Sequence, residues 1–115
     1  MTDDTFTLHD LKVEWVAGDK PCWCGGKEGD HFFVKGEHLH FPPGQTWSLY
    51  QLATVLPFLA AKQRPTHDND WMTTDTEFAC SDPNCGSRFR VSRQGQTTFS
   101  HAETTAVPLR KDDTK

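Results

Sequence analysis

The chain has 115 residues, a hydrophobic fraction of 35% and a net charge of −4. That length suits one domain with a modest core, and the acidic balance disfavours nucleic acid as a partner. No apolar run approaches the length of a membrane span, and the acidic start MTDDTFTLHD lacks the apolar region of a signal peptide.

A cytoplasmic location is therefore expected. In a reducing compartment, four cysteines favour metal ligation or free thiols over disulfides.

Residues 1–5 read as a flexible tail. From Phe6 to Val16 the residues alternate, with Leu11, Val13 and Trp15 on one side and Lys12 and Glu14 on the other. This is the pattern of a half-buried strand. Ala17 to Asp30 holds four glycines and a proline and reads as a loop, with Cys22 and Cys24 in the turn PCWCGG. Phe32 to Val34 predicts a second strand, Gly36-Glu37 a turn, and His38 to Phe41 a third strand ended by Pro42-Pro43-Gly44.

Ser48 opens the long helix. Ser48 and Gln51 have capping-box spacing. Leu49, Leu52, Ala53, Leu56, Leu59 and Ala60 make an apolar stripe at helical period. Pro57 predicts a kink or restart, and Pro65 a stop. Beyond the polar loop THDND, Trp71 to Ala79 and Ser87 to Arg93 read as paired strands. Gln94-Gly95 reads as a turn, Thr97 to His101 as an edge strand, and 110–115 as a flexible charged tail. The order β-β-β-α-β-β-β predicts a single α+β domain over 6–109. One long helix packs on a small, mostly antiparallel sheet that carries a zinc-knuckle-like hairpin.

The hairpin is the stretch ACSDPNCGSRF. Cys80 and Cys85 bracket a turn in which Asp82, Pro83 and Asn84 favour the bend, with Gly86 free to take positive φ. Such a turn brings two thiols to one side with N–H donors aimed at them. Together with Cys24, and with Cys22 or a histidine as fourth ligand, the set suits tetrahedral Zn²⁺ or a thiolate-bound iron. The spacings C-x-C and C-x4-C are unusual, and free, partly buried thiols are the competing reading.

Other groups have plainer explanations. His38 and His40 share one strand face, but a solvated polar face accounts for them, with Leu39 and Phe41 turned inward. His101 and Glu103 read as a surface pair, and His67, Asp68 and Asp70 as turn chemistry. Arg88, Arg90 and Arg93 need no phosphate partner. No nucleotide-binding motif and no serine nucleophile elbow is present.

Three pieces carry a family resemblance: Cys24 followed by GGKEGDHFFVKG, then FPPGQTWSLYQLATVLPFLAAKQRPTHDNDW, and FACSDPNCGSRFRVSRQG. On these the chain resembles, over residues 8–109, a family of small uncharacterised cysteine-containing prokaryotic proteins. The resemblance implies a compact domain with functional cysteines near Cys24 and Cys80, and it implies no reaction. Many relatives carry Cys-Pro-Trp at the helix start, where this chain has Thr46-Trp47-Ser48, and they generally lack a counterpart of Cys22. That difference shifts weight to Cys24, Cys80 and Cys85 with a histidine.

The reading is of a zinc-binding module that serves as an accessory subunit or protein-interaction domain. Its partner would be another protein subunit, with neither membrane nor nucleic acid involved. The alternative is a small metal- or thiol-dependent enzyme or redox protein of a catabolic pathway.

Overall fold

The computed structural model describes residues 3–110; of the expected tails 1–5 and 110–115, residues 1–2 and 111–115 lie outside them. The chain is α+β, with a five-stranded antiparallel sheet and a helix packed on it. The strands are β1 (Thr5–Val16), β2 (His31–Lys35), β3 (His38–His40), β4 (Glu77–Ala79) and β5 (Arg88–Ser100), in the order β3-β2-β1-β5-β4. The helix is α1 (Leu49–Lys62), and two four-residue helical turns follow, α2 (Trp71–Thr74) and α3 (His101–Thr104).

The long pair β1–β5 is the backbone of the sheet. Its register runs from Thr5 opposite Ser100 to Val16 opposite Arg88, so β1 leaves and β5 enters at the same end. One face is apolar, with Leu11, Val13, Phe32, Val34, Phe89 and Val91 buried. The other is polar: Glu77 pairs with Arg88 at 3.3 Å and with Arg90 at 2.9 Å.

The expected Gln94-Gly95 turn and separate edge strand are not formed. β5 runs through them without a break and pairs with β1 on both sides. The register shifts between His9 and Leu11 instead, where two residues of β5, Gln94 and Gly95, stand against one of β1, Asp10, so the one extra residue makes a bulge. The reach from Trp71 is also shorter than expected as a strand. Asp70 accepts from the Met72 N–H at 2.9 Å and caps a helical turn, which leaves only Glu77–Ala79 in the sheet. His101 and Glu103 likewise lie in α3. Asp4, placed in the sequence tail, accepts from the Ser100 hydroxyl and the Ala102 N–H.

Helix α1 starts where expected, with Ser48 Oγ accepting from the Tyr50 and Gln51 N–H groups. It continues through Pro57 without a break. The expected buried stripe is corrected, because Leu49 is 73% and Leu56 48% exposed. The buried line is Gln51, Val55, Leu59 and Lys62, with Leu52 and Phe58 beside it. These positions also have helical spacing. The two polar members bury their stems because their tips find partners, Lys62 on the Met72 carbonyl and Gln51 on sulfur. At the far end, Arg93 donates to the carbonyls of Lys62 and Arg64, both at 2.8 Å, and so satisfies groups the helix leaves unpaired.

Candidate metal centre

Two loops leave the common end of β1 and β5. The loop after Val16 turns back toward the sheet and carries Cys22 and Cys24. The eight residues between β4 and β5 carry Cys80 and Cys85. The loops are docked through backbone. The Lys20 N–H donates to the Cys85 carbonyl at 3.3 Å, and Gly18 lies against the backbone from Cys85 to Ser87. Gly26 sits on the Trp15 indole, where a β-carbon would come within 2.3 Å of Nε1.

Within the second loop, the Cys80 N–H donates to the Ser87 carbonyl at 2.9 Å and closes the turn. Asp82 Oδ1 accepts from the Asn84 N–H at 2.9 Å, and Gly86 has φ of 72°.

The sulfurs of Cys22, Cys24 and Cys80 all lie within 4.8 Å of one another. Among the described residues, no other group of three or more histidine, cysteine or acidic side chains has this geometry. Four thiolates around zinc, at about 2.3 Å each, would stand about 3.8 Å apart. The observed trio is thus near the spacing of a metal's ligand shell. Cys85 stands beside it. Its sulfur is 3.1 Å from Ser87 Oγ, and its thiol influences Cys22 through a hydrogen bond. His38 and His40 are exposed on β3 and lie outside the group.

The surroundings of Cys22 suit anionic sulfur. Cys22 is contacted by the Gln51 side-chain Nε2 at 3.1 Å. Burial pushes the Cys22 thiol up, but the N–H groups of Gly26 and Cys24, the Ser87 hydroxyl and the Cys85 thiol outweigh it, bringing it down to about 7. Cys80 accepts from the Asp82 N–H at 3.5 Å. Cys24 is pushed up by burial and then by the nearby Cys80, against a hydrogen bond from Ser48. A trio of thiols in which one thiolate raises the next is stabilised by a shared cation. The donor set therefore fits a thiophilic divalent metal.

Sequence reasoning missed Gln51 as a neighbour of sulfur. Its spacing from Ser48 fits a capping box, and only the structure turns its carboxamide inward. The candidate arginines are engaged within the fold, Arg88 and Arg90 by Glu77 and Arg93 by the end of α1. His67 accepts from the Asn69 N–H and works as a turn residue.

No family model, curated protein or solved structure matches the chain. No helix is long and apolar enough to cross a membrane among the described residues.

Proposed function

We propose that the chain is a cytoplasmic zinc-binding module, within the cysteine-containing family it resembles, that acts as an accessory subunit or protein-interaction domain. The observation that carries this reading is the approach of the Cys22, Cys24 and Cys80 sulfurs to within 4.8 Å. Cys85, next to Cys22, is the fourth ligand, reached by a side-chain rotation away from Ser87. The Cys80–Cys85 turn then serves as a zinc-knuckle-like hairpin, and the Cys22–Cys24 turn closes the site from the other loop. Zinc fits this set better than a hard cation because every donor is a thiolate. A small core gains from such a crosslink, since metal-binding free energy becomes folding free energy.

A protein partner is supported by the residues beside the site. Trp23, between two of the cysteines, is 78% exposed, and Leu49 and Tyr50 at the start of α1 are 73% and 71% exposed. Aromatic and apolar side chains left in water beside a rigid centre are typical of docking surfaces.

A second reading is a thiol-dependent enzyme or redox protein. It is favoured by the Cys22 thiol, which sits at about 7 and is partly ionised at neutral pH. Metal content and the absorption spectrum of the purified full chain separate the two. About one zinc per chain with no visible absorption supports the module. Iron with thiolate-to-metal bands, or a metal-free protein with a reactive thiol, supports the second reading and contradicts the first.

A further inference from the structure

Gln51 occupies a place in the chain where an apolar side chain would be expected. It lies on the buried line of α1 with Val55 and Leu59 and is only 2% exposed. A buried carboxamide is costly unless its donors are used. Its Nε2 points to two sulfurs from different loops, Cys22 at 3.1 Å and Cys80 at 4.0 Å.

A neutral thiol is a weak acceptor, so burying an amide against two of them would gain little. Against thiolates the same hydrogen bonds are charge-assisted and strong. The N-terminal turn of α1 also places its partial positive charge on this side, with Ser48 capping the turn and touching Cys24.

We propose that Gln51 is the positioning residue of the metal centre. Its carboxamide ties the sulfur of the first loop to that of the second and sets how tightly the site holds metal. This rests on the metal-binding reading above. Gln51 does not bind the metal itself. It acts through Cys22 and Cys80, as outer partners of metal ligands commonly do. Donation of an N–H to a ligating sulfur lowers the energy of the sulfur lone pair. Sulfur-to-metal charge transfer therefore moves to shorter wavelength.

The test uses cobalt(II) and zinc titrations of the full chain, wild type and Gln51→Leu, with the charge-transfer bands recorded. The expected result is that Gln51→Leu binds both metals about 10- to 100-fold more weakly. Its sulfur-to-cobalt band should keep its intensity and move to longer wavelength. A merely structural role would not move that band. Because Gln51→Leu can fail to fold, the wild type is also loaded with cadmium-113. Coupling from the metal to the Gln51 side-chain amide protons, across the N–H···S contact, is then expected in its NMR spectrum.

If wild type binds cobalt but the variant matches it in affinity and band position, the Gln51 proposal is overturned and the metal site stands. Absence of the cadmium coupling in a loaded wild type overturns it in the same way. If wild type takes up neither cobalt nor zinc, the metal-binding reading falls and this proposal falls with it.

Discussion

Gly18 lies so close to Cys85 that a β-carbon on Gly18 would sit 2.2 Å from the Cys85 carbonyl oxygen. The two cysteine loops therefore meet backbone to backbone, and only glycine permits it. Gly18→Ala must push the loops apart. The expected cost is about 1–3 kcal/mol from overpacking, measured by urea unfolding, together with weaker zinc binding. Wild-type stability and affinity would show that the loops are not held by this contact.

The buried line of α1 separates two leucines three residues apart. Leu59 is 4% exposed and Leu56 48%. Leu59→Ala should cost about 2–5 kcal/mol, while Leu56→Ala should stay within about 0.5 kcal/mol. Equal losses in denaturant melts would place the helix in a different rotation on the sheet.

These two leucines show what the sequence could and could not convey. The helix was legible because Ser48 supplies its cap and the apolar period is helical. Its rotation was not, because two stripes overlap and the true one includes Gln51 and Lys62. Polar residues are set aside by pattern reading, and their burial depends on partners supplied from elsewhere: the sulfurs of two loops and the Met72 carbonyl. The alternation of β1 was plain. The continuity of β5 was hidden by Gln94-Gly95, since local chemistry does not distinguish a turn from a bulge opposite His9 and Leu11. The cysteines were visible as candidates. That Cys22, rather than Cys85, stands in the tightest trio follows from the loop docking at the end of β1 and β5.

Arg93 gives a third contrast. It satisfies two carbonyls at the end of α1, whereas Arg88 and Arg90 make exposed ion pairs with Glu77. Arg93→Ala should cost about 1–3 kcal/mol, because it strands those carbonyls. Arg88→Ala and Arg90→Ala should each cost no more than about 1 kcal/mol. Thermal melts of the three variants rank them, and an Arg93→Ala as mild as the others would rule out the capping role.

In metal-free protein Cys22 is opposed by burial yet brought down to about 7 by its hydrogen-bond donors. Its folded value lies below the unfolded thiol value of about 8.5. The unfolded chain therefore holds more protons between these limits, and stability contributed by Cys22 rises with pH across them. It is lost as pH falls through about 7. Alkylation rates with iodoacetamide should show one thiol titrating near 7, and the titration should vanish in Cys22→Ser. A profile with all thiols above 8 would contradict the assigned donor set.

Removing metal should lower the melting temperature. With free zinc a hundredfold above its Kd, binding contributes about 2.7 kcal/mol, or about 10 °C or more at this chain length. A strong chelator should produce the drop in wild type and none in Cys80→Ser, which should already melt low. A wild-type melt indifferent to chelator would mean that the cysteines do not crosslink the fold through metal.

The most direct measurement is X-ray absorption at the zinc edge on the purified full chain. The account predicts a shell of four sulfur atoms at about 2.3 Å, with no nitrogen or oxygen. A zinc shell dominated by light atoms at about 2.0–2.1 Å, or protein that carries no zinc after loading, would contradict it.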